Sequence, residues 1–448
     1  MINMKASPFD DPGAAWEPYR PTPEAPWDAA RVAHMHRRAG FGATWAQVRR
    51  DVAEGFEPSL RRLLDGEDRC PDGRSTADFD ETVGAMRDSF LRNPSMSRVS
   101  LLWLFRMIGS PHPLAEVMTL AWHSHYASSQ AKVSSPEAML DQNLVFRKHW
   151  RSPISALHKA ILADAAMLRW LDGMGSVKAN PNENLGREFL ELFALGVGNY
   201  TERDVRETAR AFTGWRQSNY TPLRVVFDQS DHDDGPKTIL GETGNWAQDD
   251  VVRIVCRQPA AAEHVARRLY RTFVCNVEEP SPELIVPLAA AMRTEGDVDV
   301  ARGIEVILRS RLFHGEACRS KRVKSPAALA IGAARSCEAF GPPPKLDELE
   351  IHLTKMGQRL FFPPSVAGWR GGLSWLDNST ILARANFAAW FTGGEAGLAR
   401  DHFEKLAERV DEAELATLLV PTPVDPSGEA DPAMVVRRLL SMPEGQLC

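Results

Sequence analysis

The sequence predicts a mainly α protein: a single large multi-helix domain with a small β-hairpin insertion near 222–241. Three observations carry this. Apolar residues recur at helical spacing almost without a break from about 79 to 212, and the same period resumes from 249 to 391. Between these stretches the pattern changes, with β-branched and aromatic residues at Val225-Val226-Phe227 and a turn-rich His232-Asp233-Asp234-Gly235-Pro236-Lys237. Helix-start signals also stand at the expected places, Thr44 before Trp45 and Thr201-Glu202-Arg203-Asp204 in the form of a capping box.

Taken in order, residues 1–27 read as an extended arm, punctuated by Pro8, Pro12, Pro18, Pro21, Pro23 and Pro26, with Trp16, Tyr19 and Trp27 able to pin it to the body. The helical domain is expected over 28–395 and a C-terminal helical extension over 396–448. Helices are expected at 97–108, 113–125, 137–148, 153–169 and 183–195. After the short Gly196-Val197-Gly198-Asn199-Tyr200 link, the Thr201 helix folds back as a hairpin on the one before it. Strands are expected at 225–227 and 238–241. Helices follow at 249–256, 260–274, 282–293, 298–310, 326–340 and 345–356, then at 380–391 beyond a Pro/Gly/Trp loop at 361–376.

Bulk properties exclude several function classes. With 448 residues, 44% hydrophobic and 25% charged, the chain has the composition of an ordinary globular protein with a sizeable core. A net charge of −6 leaves no overall electrostatic footprint for nucleic acid or an anionic membrane. The basic run from Arg319 to Lys324 is expected to be a solvated face. No stretch approaches a transmembrane span. The six cysteines form no CxxC pair, which fits reduced thiols. Without an apolar leader core in the first thirty residues, the expected location is the cytoplasm, with export by other means left open.

Four constellations carry candidate chemistry. The densest is Asn180-Pro181-Asn182-Glu183-Asn184-Leu185-Gly186-Arg187-Glu188-Phe189-Leu190-Glu191. On a regular helix Glu183, Arg187 and Glu191 share one line with Glu188 beside it, and apolar residues fall opposite. Crowded carboxylates can divide into an acid and a base for hydrolysis, including glycoside cleavage; the alternative is an ion-pair ladder bridged by Arg187. The second is Trp122-His123-Ser124-His125-Tyr126 at a helix end. His123 and His125 are candidate ligands of a divalent transition metal, with Glu188 or Glu191 completing the shell, or else histidines capping the helix dipole. The third is His232 among Asp231, Asp233 and Asp234, a candidate site for a divalent cation, with Lys237 as a candidate contact for a phosphate or carboxylate; the alternative is a routine turn. The fourth is Trp369-Arg370-Gly371-Gly372 with Trp375, which suits stacking on a planar or sugar-like ligand, or a rigid plug in the core. No Gly-x-Ser-x-Gly, P-loop, Rossmann or His-Glu-x-x-His signature is present.

Arg37-Arg38-Ala39-Gly40-Phe41-Gly42-Ala43-Thr44, the 122–128 and 182–193 stretches, 196–215, 232–241, 362–376 and Ala383-Arg384-Ala385-Asn386-Phe387 occur in one order. With them the chain resembles the bacterial family catalogued as domain of unknown function eighteen hundred, over about residues 30–395. The resemblance implies a single mainly helical domain and a partner from a neighbouring uncharacterised family with an alkaline-phosphatase-like fold. Many relatives look exported, whereas this chain begins with a Pro-rich acidic arm. The preferred reading is a metal-dependent or carboxylate acid/base hydrolase built on the 183–191 helix. Glu188 or Glu191 would be base or ligand, His123 and His125 ligands or proton carriers, and Arg187 the holder of an anionic group. The alternative is a non-enzymatic binding or assembly module.

Overall fold

A computed structural model describes residues 12, 14–218, 222–316, 318–341, 345–394, 397–425, 429 and 431–448. Among them the chain is mainly helical, with two small two-stranded antiparallel sheets. One contiguous core runs from Ala15 to Leu440, and Trp103, Trp122, Tyr126, Phe146, Phe189, Phe193 and Phe212 are its largest buried rings near the candidate site. No helix among the described residues is long and apolar enough to cross a membrane. All six cysteines are unpaired and buried.

Local signals act where the spacing places them. Thr44 accepts from the Gln47 amide while Gln47 bonds back to Thr44, and Thr201 and Asp204 close the same reciprocal box. The helix after Thr201 packs on the Glu183–Glu188 helix at Gly186, where an added Cβ would lie 3.2 Å from the Ala209 nitrogen. The described part of the arm is pinned as its aromatics suggest. Trp16 Nε1 donates to the Leu284 carbonyl (2.8 Å), Trp27 Nε1 donates to that of Asp51 (2.9 Å), and the Tyr19 ring meets Phe56 edge-on. Of the arm's prolines, Pro8 lies outside the described residues.

Three details depart from the sequence reading. The stretch 153–169 is two helices, Ile154–Leu162 and Ala165–Trp170, because the Asp164 carboxylate caps the second by accepting from the Met167 amide at 2.8 Å. The strand at 225–227 does not pair with 238–241. Val225–Phe227 pairs with Trp215–Gln217, and Lys237–Ile239 pairs with Glu242–Gly244. The second hairpin turns at Leu240 (φ 48°) and Gly241 (φ 86°), a two-residue turn with both φ positive. Third, the Arg319–Lys324 run is not a free solvated face. Lys324 is buried and its Nζ donates to the Leu419 and Gly445 carbonyls (2.7 and 2.9 Å), so the C-terminal segment folds over it.

The last helices, Arg400–Ala407, Glu412–Leu419 and Pro432–Ser441, pack onto the body. Buried guanidinia tie them and other distant segments together through carbonyls. Arg37 Nη1 donates to Thr417 (2.5 Å) and Leu418 (3.3 Å), and Arg384 donates to Trp375 O (3.2 Å), Lys324 O (2.9 Å) and Gln446 Oε1 (3.0 Å).

Candidate functional site

The helix Pro113–His125 supplies the first wall of the site, and it is anchored at its far end by a buried carboxylate. Glu116, 1% exposed, accepts from Arg147 Nε and Nη2 (2.7 and 2.9 Å), Arg106 Nε (3.2 Å) and Trp103 Nε1 (3.0 Å). Those cations hold its carboxyl down at about 2 against the cost of burial. At the other end Ser124 and His125 emerge where the helix stops.

The second wall is the continuation of the Asn182-capped helix. Glu183–Glu188 is α-helical, but Phe189–Ala194 widens into a π-helix, in which the Leu195 amide reaches back to the Leu190 carbonyl at 3.0 Å. The widening turns Glu191 away from Arg187. Its carboxylate accepts instead from the Tyr200 hydroxyl (2.8 Å). Two carbonyls of the π-helix are taken up by histidines: His264 Nε2 donates to Leu192 O (2.9 Å) and His125 Nε2 donates to Phe193 O (3.0 Å). The two rings lie 5.5 Å apart. Burial lowers both imidazoles below the ordinary histidine range, His125 strongly, so each ring is neutral with its lone pair on Nδ1.

The third wall is the helix Pro259–Phe273. His264, Arg267, Arg268 and Arg271 fall on one stripe at i, i+3, i+4 and i+7, opposite the buried Ala262, Val265, Ala266 and Leu269. The fourth is the 361–376 loop. Gly368 (φ 74°) presses against the end of the first helix so closely that a Cβ would lie 2.1 Å from the Ser124 carbonyl oxygen. Trp369 and Trp375 are buried with Val323, and Arg370 is exposed.

These walls enclose a main cleft of about 390 Å³ between Arg37, Arg38, Arg268, Arg322, Trp369 and Trp375. A recess of about 300 Å³ beside it is lined by His125, Glu191, His264 and Arg267. Ser124, Arg268, Arg271 and Ala367 border both.

The structure thus brings His125 and Glu191 to the recess and Trp369, Arg370 and Trp375 to the cleft. The other sequence candidates lie elsewhere. Arg187 pairs with Glu183 (3.1 Å) and, through both terminal nitrogens, with Glu202 (2.7 Å each) on the exposed side of the helix hairpin. Glu188 is half-buried; burial and the neighbouring Glu191 charge raise its carboxyl above the ordinary value. His123 is enclosed by Trp103, Phe361 and Trp369, and its Nε2 accepts the Phe361 amide N–H (3.2 Å), with burial pulling the ring down to about 3. His232 Nδ1 donates to the Thr213 carbonyl (3.0 Å). Around it Asp233 is clamped by Arg210, Asp231 by Arg216, and Lys237 donates to the Asp233 and Gly235 carbonyls. His123, His125 and His232 therefore each spend a ring nitrogen on a different piece of backbone. Among the described residues no group of three or more His, Cys, Asp and Glu is placed to hold a metal ion.

Sequence reasoning missed His264, Arg268, Arg271 and Arg322. The first three form a regular polar stripe on an amphipathic helix, a pattern that solvated faces share. The stripe was the available signal, and only the facing walls give it meaning. No curated protein and no solved structure matches the chain. A family model described as protein of unknown function (DUF1800) matches residues 34–447, past residue 395 and through the C-terminal helices. The chain belongs to that family.

Proposed function

We propose that the chain is a hydrolase whose proton-handling groups are Glu191, His125 and His264. The observation that carries this reading is that all three line one recess, which shares Ser124, Arg268 and Arg271 with the larger cleft beside it. Glu191, half-exposed and hydrogen-bonded to Tyr200, is the general base that activates water. His125 and His264, kept neutral by burial and fixed by the π-helix carbonyls, take on Nδ1 the proton that Glu191 has removed from water and pass it to the leaving oxygen. Arg268 and Arg271, on one face of the Pro259–Phe273 helix, face the developing negative charge at the border between recess and cleft. Ester or related linkages are the substrate class that asks no more than these groups supply.

The test is turnover of a panel of chromogenic esters and glycosides by the full chain and by Glu191→Gln. The expected result is a loss of about 10²–10⁴-fold in kcat/KM with little change in melting temperature. Equal turnover by the two proteins refutes the role of Glu191.

A second reading, a binding or assembly module acting with an alkaline-phosphatase-like partner, is favoured by Leu373, Ile381 and Leu382, which are 52–62% exposed in the segment after Trp369. Absence of turnover together with co-purification of such a partner, lost in Leu373→Asp/Leu382→Asp, distinguishes it from the hydrolase.

A further inference from the structure

Two basic motifs with no role in the chemistry above, Arg37-Arg38 and the run ending in Lys324, meet at the main cleft. Six arginines line it, Arg37, Arg38, Arg268, Arg271, Arg322 and Arg370, against two acidic residues, Glu278 and Glu279. Among the described residues, Arg271 alone of the six has a carboxylate within 4 Å, that of Glu279. Glu278 is turned toward Lys321 (3.9 Å).

The guanidinia are held by neutral partners. Arg38, 1% exposed, donates to the Phe273, Val274 and Cys318 carbonyls; Arg37, 5% exposed, donates to Thr417 and Leu418; Arg268 donates to Ala121. The Nε atoms of Arg37, Arg38, Arg268 and Arg322 are buried without a hydrogen-bond partner. Burial, reinforced by the neighbouring guanidinia and only partly offset by the Cys448 thiol beside Arg37, pulls the Arg37 guanidinium down to about 9, and burial with the Arg271 and Arg322 charges pulls that of Arg268 to about 10. Buried cations are ordinarily matched by carboxylates, and this chain, with 59 acidic residues, has carboxylates to spare. Arg335 and Arg384 are also buried on carbonyls, but neither lines the cleft. The cleft group differs in surrounding a volume large enough for a ligand.

We propose that the main cleft binds a tetrahedral oxyanion, a phosphoryl or sulfuryl group, carried by the substrate of the hydrolase reading on which this inference rests. Guanidinium forks match two oxygens of such a group at once, and several forks around one centre favour a doubly charged tetrahedron over a single carboxylate. The buried cations are preorganised by their carbonyl bonds, so the anion arrives at a site that is already built. The recess with Glu191 then holds the linkage next to this charged group.

The test is titration calorimetry of the full chain with inorganic phosphate, pyrophosphate, sulfate and acetate at low and high chloride. Saturable, salt-sensitive 1:1 binding of phosphate or pyrophosphate, with sulfate weaker, assigns a phosphoryl ligand, and the reverse order assigns a sulfuryl ligand. Arg370→Glu, an exposed change outside the core, is expected to weaken binding about tenfold or more, and Arg322→Met to abolish it. Should Arg322→Met fail to fold, Arg370→Glu and the salt dependence still decide. Absence of saturable binding, acetate binding as tightly as the tetrahedral ions, or binding unaltered in Arg370→Glu overturns the proposal. Glu191→Gln is expected to bind the anion as the wild type does. Binding without turnover therefore sinks the hydrolase alone, and turnover of an uncharged ester without anion binding sinks the oxyanion site alone.

Discussion

Replacing Glu116 with glutamine is expected to cost about 3 kcal/mol of stability. Its carboxyl is depressed from 4.5 to about 2, which at about 1.4 kcal/mol per unit makes ionised Glu116 worth roughly 3 kcal/mol to the folded state. The group is buried, so solvent screening takes little away. The same size follows from the opposite direction: removing one partner of a buried ion pair costs about 3–5 kcal/mol because the other charges stay behind. Here Arg106 and Arg147 would remain, largely buried, with only an amide oxygen to receive them. For 448 residues, an unfolding entropy of about 2.1 cal/mol/K per residue gives about 0.9 kcal/mol/K, hence a fall of about 3 °C in Tm. Denaturant titration and calorimetry of wild type and Glu116→Gln measure it. The sign in acid is fixed: because the folded value lies below the unfolded one, the stabilisation is complete above about pH 4.5 and is lost as pH falls through about 2. The difference between the two proteins therefore narrows over that window. A variant within about 0.5 kcal/mol of wild type at pH 7 would refute the reasoning.

Acid also bears on the buried histidines. His123, His158 and His314 are each pulled to about 3 by burial, so the unfolded chain binds more protons below pH 6.5 and stability falls as pH falls. From pH 6.5 to 5 the three cost roughly 5 kcal/mol, and Asp164, raised to about 7 by burial, returns about 2, so calorimetry should find Tm lower by about 3 °C; an unchanged Tm contradicts neutral histidines. Lys324, pulled to about 7 by burial, makes stability rise between pH 7 and about 10, and Lys324→Met should flatten that slope in denaturant titrations. Gly368→Ala, forced into the Ser124 carbonyl at positive φ, should lose about 2 kcal/mol or more together with anion binding and turnover. Arg187→Ala, in an exposed ion-pair network, should change stability by under about 1 kcal/mol and leave turnover intact in the same assays.

The helical class was legible because it rests on short-range signals, apolar period and caps such as Thr44 and Thr201, which act within a few residues. The Trp369 loop and His125 were legible as unusual composition. The line through Glu183, Arg187 and Glu191 does not form as drawn, because 100° per residue does not hold through a segment that widens at Phe189. Hairpin pairing failed for a related reason: Val225–Phe227 alone does not say which strand faces it, and its partner Trp215–Gln217 begins directly after a helix hairpin. The arginines of the cleft come from positions 37 to 370, and only tertiary folding brings them to one volume.

The π-helix at Phe189–Ala194 has a consequence for chain length. Each of its bonds spans one residue more than an α-turn, so the segment accommodates an extra residue without disturbing the helix before it. Deleting a single residue there would restore regular winding, rotate Glu191 by about a hundred degrees, and strip the imidazoles of His125 and His264 of their carbonyls. The recess therefore depends on the exact length of the chain at this turn, where Phe189 and Phe193 also enter the core. Length variation among related chains at this turn would separate those that keep the recess from those that keep only the fold.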